Sequence, residues 1–88
     1  LWALAAHDMD AARLMKTYYQ QYVDELSKLV RNMRPILSKS RADRAAVLIA
    51  SLIEGASLFR GFQKSVGPAS RNMESDIKTI VVQIIENI

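Results

Sequence analysis

Residues 41–63 read RADRAAVLIASLIEGASLFRGFQ, and this stretch decides the fold. Apolar side chains recur every three or four residues along one arc, which runs from Ala45 through Ile49 and Ile53 to Phe62 and predicts a helix. The rest of the helix is mostly small or apolar, where a solvated face would carry charges. A helix that is apolar nearly all round is covered on two sides. We therefore predict that another helix approaches each side of this one closely.

A long amphipathic helix is predicted upstream, over residues 9–33. Its apolar stripe repeats every three or four residues, and its length would be about 37 Å. Asp8 is the predicted N-cap, because its carboxylate can accept from free backbone N–H groups. Pro35 ends the helix, since proline disfavours helix at the residue before it. The linker 35–40 then leads to Ser40, the predicted N-cap of the next helix.

A final helix is predicted after the break at residues 65–68. It starts between Ala69 and Met73, runs to about Glu86 and has a wide apolar face. A short helical piece over residues 1–6 precedes the long helix. The chain is therefore predicted to be an all-α bundle of about four helices.

The last two helices carry more apolar surface than a single small core needs. Half of the 88 residues are apolar, whereas a domain of this size buries only about 60% of the surface that its unfolded chain exposes. We predict a homodimer in which these helices form the interface. Glu54 is expected at that interface or its rim, with a pocket-facing position as the alternative. The predicted interface residues are Ala50, Glu54, Ser57, Gly61, Ile77, Ile80, Val81 and Ile84.

Composition argues against several classes of function. The chain has no cysteine, which excludes disulfides and thiolate metal sites, and its net charge of +3 is mild and spread along the sequence. No apolar run approaches the roughly 18 residues that span a bilayer. His7 is the only histidine and stands at a helix break, so neither a catalytic triad nor a metal site can be placed. We predict a cytoplasmic protein that is not an enzyme, has no cofactor and does not bind a membrane.

Aromatic residues suggest a place for a small molecule. Tyr18 and Tyr22 lie one helical turn apart, with Met15 a turn earlier, and Trp2 and Phe59 could join them. Such a set could line an apolar pocket, and could even hold a quaternary ammonium group by cation–π contact. Aromatic residues at helical spacing are also ordinary core residues, and that reading stays open. We predict ligand binding by Trp2, Met15, Tyr18, Tyr22 and Phe59.

Four stretches together resemble the C-terminal domain of TetR-type repressors, in particular the branch like the choline-responsive BetI regulators. Residues 1–6, LWALAA, resemble a helix end that bears a tryptophan. Residues 7–10, HDMD, resemble the turn that opens the long helix, with Met9 where a proline is usual. Residues 52–56, LIEGA, resemble the core of the penultimate helix, and the closing amphipathic helix has the family's placement.

The resemblance implies a transcription regulator. Its N-terminal helix-turn-helix domain would bind an operator as a dimer, and its C-terminal domain would hold a small-molecule pocket and dimerise through the last two helices. Residues 1–88 would be this C-terminal ligand-binding and dimerisation domain, with operator DNA reached only through the absent N-terminal domain. The alternative is a standalone helical dimerisation module without a ligand. A cavity between the long helix and the next one would favour the regulator.

Overall fold

The computed structural model describes residues 8–60 and 67–88, and these residues form three α-helices. Helix α1 spans Met9–Met33, α2 spans Lys39–Arg60 and α3 spans Met73–Asn87, with a short 3-10 helix, Gly67–Ser70, before α3. The all-α class is confirmed, and no strand occurs in these ranges. The predicted helical piece over residues 1–6, and the predicted end of the second long helix at residues 61–63, lie outside the described residues.

The ends of α1 are fixed by the residues that the sequence indicated. One carboxylate oxygen of Asp8 accepts hydrogen bonds from the backbone N–H groups of Asp10 and Ala11, at 2.8 and 3.2 Å. At the other end the N–H of Arg34 donates to the carbonyl of Val30 over 2.9 Å, and proline follows at position 35. The predicted N-cap and end of the long helix are confirmed.

Helix α2 begins two residues before the predicted start. Ser38, and not Ser40, stands at its entrance: the Ser38 hydroxyl accepts from the N–H of Arg41 at 3.2 Å, and its carbonyl accepts from the N–H of Ala42 at 2.9 Å. The prediction of Ser40 as N-cap is therefore wrong. The physical reason is Leu37, which is only 3% exposed. Burying this side chain in the core brings the next residue to the helix start.

The core lies where the C-terminal halves of α1 and α3 meet the N-terminal half of α2. Helix α2 is central, because it packs extensively along α1 and less extensively against α3. Ala42, Ala45 and Ala46 of α2 have no exposed surface, and side chains this small let neighbouring helices come close. The cluster of buried apolar residues at this place contains Val30, Leu37, Ala42, Ala45, Ile49 and Ile85.

A side-chain hydrogen bond joins α1 to the start of α2. The buried Ser27 hydroxyl donates to one carboxylate oxygen of Asp43 at 2.7 Å, and the Lys39 ammonium binds the other at 2.9 Å. The hydrogen bond from Ser27, followed by that from Lys39, lowers the pKa of the Asp43 carboxyl below its usual value. The carboxylate thus stays ionised and links α1 to α2 through Ser27.

The single chain leaves much of its apolar surface uncovered. Its radius of gyration is 15.3 Å, compared with about 12 Å for a compact domain of this length. Its accessible surface is 6,846 Å², whereas a folded monomer of this mass exposes about 5,200 Å². The uncovered surface includes Val47 and Leu48 of α2, each with 50% of its surface exposed. Both sides of α2 are therefore open to a binding partner.

Candidate functional site

An apolar groove runs between α1 and α2, and we call it the α1–α2 groove. Its volume is about 420 Å³. The Ser51 hydroxyl in its wall donates to the carbonyl of Val47 at 2.8 Å. The charged side chain in the lining is Glu54. The residues that line the groove are Tyr19 and Val23 from α1, and Val47, Ala50, Ser51 and Glu54 from α2.

Glu54 sets the electrostatics of this groove. Desolvation, and then the negative charge of Glu54, raise the pKa of both the Tyr19 and the Tyr22 phenol. These phenols therefore stay neutral at physiological pH and keep their O–H donors. The Tyr18 ring stands edge-on to both, with ring centroids 5.2 Å from Tyr19 and 6.2 Å from Tyr22. The three rings thus form a cluster, and the charge of the Glu54 carboxylate acts on two of them.

The groove continues into a more polar hollow at one end. This hollow has a volume of about 630 Å³ and shares Tyr19, Val23 and Val47 with the α1–α2 groove. It adds the charged side chains of Lys16 and Asp24, among others. The combined surface is apolar in one part and polar in the other, which suits a small molecule with both characters.

A second apolar groove, the α2–α3 groove, opens on the other side of α2. Its volume is about 300 Å³. Leu48 stands on its α2 side and is 50% exposed, while Ile80 of α3 is 41% exposed. The lining residues are Leu48, Ile80, Gln83, Ile84, Asn87 and Ile88.

Gly55 lies on the same side of α2 as Leu48, two helical turns further along. A Cβ atom built on Gly55 would meet nothing within 4 Å in the described part of the chain, so packing among these residues does not require glycine here. Glycine inside a helix costs about 1 kcal/mol relative to alanine.

Comparison with protein families identifies the chain. Residues 1–86 match the profile of the family described as BetI-type transcriptional repressor, C-terminal. The chain belongs to this family. Comparison with curated proteins and with solved structures gives no significant match. The BetI-type family consists of transcription regulators, and TetR-family regulators typically dimerise and bind DNA.

In this BetI-type domain the residues predicted to bind a ligand are spread over different surroundings. Met15 is buried at 5% exposure and Tyr22 is partly buried, whereas Tyr18 and Phe59 are each 54% exposed. Trp2 lies outside the described residues. The tyrosine that lines the α1–α2 groove is Tyr19. By sequence Tyr19 is only a flank of the apolar stripe, and its four-residue spacing to Val23 is the signal that could have found it.

The residues predicted to form the dimer interface divide between the two sides of α2. Ala50 and Glu54 line the α1–α2 groove, so they face α1 of the same chain. Ser57 is exposed, and its hydroxyl donates to the carbonyl of Ile53 at 3.0 Å, while Gly61 lies outside the described residues. On α3, Ile77 and Val81 are partly buried. The two remaining predicted residues, Ile80 and Ile84, line the α2–α3 groove.

Metal binding and membrane insertion find no support in the described residues. No group of three histidine, cysteine, aspartate or glutamate side chains within residues 8–60 and 67–88 is arranged to hold a metal ion. In the same two ranges, none of the helices combines the length and the apolar character that crossing a membrane requires.

Proposed function

We propose that this BetI-type domain senses a small molecule in the α1–α2 groove and dimerises through the α2–α3 groove. The observation that carries the proposal is the pair Val47 and Leu48. These neighbours in sequence are equally exposed, at 50%, yet Val47 lines the first groove and Leu48 the second. Helix α2 is therefore a wall shared by two separate apolar surfaces, which is the arrangement that a sensor of this kind requires.

The chemistry of the α1–α2 groove favours an effector with an apolar body and a positively charged or hydrogen-donating group. An apolar wall contributes about 25 cal/mol for each Å² removed from water. The Glu54 carboxylate would attract a cation, and the faces of Tyr19 and the neighbouring tyrosines would add cation–π attraction of about 0.5–2 kcal/mol. No cofactor is needed for such binding.

The α2–α3 groove suits a second copy of the chain. In a two-fold dimer the same surface meets itself, so Leu48, Ile80 and Ile84 of each copy would be covered by their counterparts. Two helices from each subunit would then form a four-helix interface. Gly55 would let the two α2 helices cross closely. This arrangement supports dimerisation by the last two helices, with Leu48 and Gly55 as the contact side of α2.

Signal transmission follows from the shared wall. An effector can shift a conformational equilibrium only if it binds one arrangement better than the other. Filling the α1–α2 groove would favour a particular spacing of α1 and α2, and α2 also helps to form the dimer surface. The spacing of two DNA-binding domains joined to such a dimer would change, and their affinity for the operator would change as a result. This action would take place in the cytoplasm of a bacterium.

The groove between α1 and α2 also bears on the alternative function. A standalone dimerisation module without a ligand needs only a solid core on the α1 side of α2. The apolar groove of about 420 Å³ in that place gives a small molecule a surface to bind, which the regulator requires and the module does not.

Substitution Glu54→Gln tests the sensing proposal. The probes are benzyltrimethylammonium and neopentylbenzene, which have the same shape and differ in charge. Because Glu54 would pair with the cation alone, the dissociation constant for benzyltrimethylammonium is expected to rise about tenfold, equivalent to about 1.4 kcal/mol. Binding of neopentylbenzene should stay within about twofold. Both affinities are measured by NMR titration, with the Tyr19 and Val23 signals as reporters.

The neighbouring Ser51→Ala substitution is the control, because it changes the same wall without removing a charge. It should leave the ratio of the two dissociation constants unchanged. Equal weakening of both probes by Glu54→Gln would show that the carboxylate only supports the wall. If neither probe shifts the Tyr19 and Val23 signals, ligand binding in this groove is rejected.

A further inference from the structure

The Arg34 guanidinium joins the end of α1 to the end of α3. One of its terminal nitrogens, Nη1, donates to the carbonyls of both Ile85 and Glu86, each at 2.9 Å. These carbonyls belong to the last turn of α3, Met73–Asn87. The positive charge of the guanidinium strengthens its hydrogen bonds to both carbonyls. The contact connects residues that are 51 and 52 positions apart in sequence.

The backbone of Arg34 is held as firmly as its side chain. Its N–H donates to the Val30 carbonyl at 2.9 Å, which ties it to the last turn of α1, and its own carbonyl accepts from the Leu37 N–H at 3.1 Å. Val30 and Leu37 are 2% and 3% exposed. A displacement of the end of α1 would therefore move the guanidinium along with it.

The ion pair at the opposite end of α3 is a weaker connection. There Arg60 pairs with Glu74 at 3.3 Å, but both side chains are more than half exposed, and exposed pairs contribute little to stability. The packing of α3 on the core is apolar, through Ile85 and its neighbours. The contact of Arg34 with the α3 carbonyls is therefore the polar connection best placed to transmit a movement of α1.

We propose that Arg34 is a positioning residue that couples α1, one wall of the effector groove, to α3, one wall of the dimer surface. The inference rests on the proposed function, and it assigns most of the coupling to this contact and the remainder to the shared helix α2. When an effector moves α1, the rigid guanidinium carries the last turn of α3 with it. Ile84 and Ile88, which lie in or next to that turn, also line the α2–α3 groove, so the dimer surface changes shape.

A double-mutant cycle tests the coupling without an effector. Ser51→Leu places an apolar side chain in the α1–α2 groove and mimics occupancy. In the chain with Arg34, this substitution is expected to shift the dimer dissociation constant about fivefold or more, the usual size of allosteric coupling. In the Arg34→Gln background the shift should fall below about twofold. Sedimentation equilibrium gives all four dissociation constants.

Two matched variants separate coupling from a loss of structure. Arg31→Gln removes an exposed arginine near the same end of α1, and it should preserve the full shift. Arg34→Lys keeps the charge near the end of α3 but lacks the planar guanidinium, so it should lose the shift while its unfolding midpoint stays close to that of the parent chain. It also serves as the test if Arg34→Gln does not fold.

The outcomes distinguish this inference from the function on which it rests. An equal shift in the parent chain and in the Arg34→Gln and Arg34→Lys variants would overturn the role of Arg34 and leave the sensor function standing. No shift in the chain with Arg34 would overturn the sensor function, and the coupling along with it. Loss of the shift with Arg31→Gln would trace the effect to general charge at the end of α1 and also overturn the inference.

Discussion

Substitution Ile80→Glu is expected to convert the dimer into a monomer. Ile80 is 41% exposed in the single chain, so a carboxylate at this position can reach water and the subunit can still fold. In the two-fold dimer, however, two carboxylates would enter an apolar interface without partners, and such burial costs several kcal/mol. The dimer dissociation constant should rise about 100-fold or more. Sedimentation velocity over a range of concentrations measures it.

Val82→Glu is the matched control for this substitution. Val82 also lies on α3 and is 44% exposed, but it is not among the residues that line the α2–α3 groove. The dimer should survive this change with a dissociation constant within about threefold of the parent value. A dimer of unchanged strength after Ile80→Glu would reject the interface, and dissociation by both variants would show that added charge alone is responsible.

Substitution Ile49→Ala is expected to cause the largest loss of stability. Ile49 is 4% exposed and belongs to the core cluster in which all three helices meet. Truncation of a buried isoleucine to alanine leaves a cavity and lowers the free energy of unfolding by about 2–5 kcal/mol. Small domains unfold with only about 5–15 kcal/mol in total. Urea denaturation, followed by circular dichroism, measures the change.

Leu58→Ala provides the comparison on the same helix. Leu58 is 68% exposed, so its truncation should change the free energy of unfolding by less than about 0.5 kcal/mol. A small effect at Ile49 together with a large effect at Leu58 would mean that the core lies on a different face of α2 from the one described.

The three described helices and the entrance to α1 follow from local rules in the sequence. The stripe of α1 has one clear period, and Asp8 and Pro35 mark its ends by their own chemistry. The predicted start of α2 is too late, because Ser38 and Ser40 are equally good caps by type. Only the burial of Leu37, a tertiary contact, selects between them.

The direction in which each side of α2 points could not be obtained from sequence. A helix with one apolar stripe shows which side is buried. Helix α2 is apolar or small nearly all round, so its sequence does not indicate how the helix is rotated about its own axis. From the sequence, Ala50 and Glu54 are therefore predicted at the dimer interface, and Phe59 is predicted to line the ligand pocket. The structure places Ala50 and Glu54 beside α1, with the exposed Phe59 one turn beyond Gly55.

A similar ambiguity affects the aromatic residues of α1. Tyr18 and Tyr22 share the principal stripe by spacing, and Tyr19 lies at its edge. Which of them faces the groove depends on how α1 is rotated against α2, and the Ser27–Asp43 contact helps to fix that rotation. This contact joins two polar residues 16 positions apart, so it cannot be predicted from a local sequence pattern.

The central claim is that adjacent residues of α2 face two different binding surfaces, and thiol labelling tests it most directly. The chain has no cysteine, so Val47→Cys and Leu48→Cys each introduce a single reactive thiol at positions of equal exposure. The measurement is the rate of maleimide reaction at concentrations below and above the dimer dissociation constant, with and without benzyltrimethylammonium. We expect dimerisation to slow labelling of Leu48→Cys alone. The ammonium probe, added to monomer far below the dimer dissociation constant, is expected to slow labelling of Val47→Cys alone. Protection of both thiols by the same partner, or of Val47→Cys by dimerisation, would contradict the account.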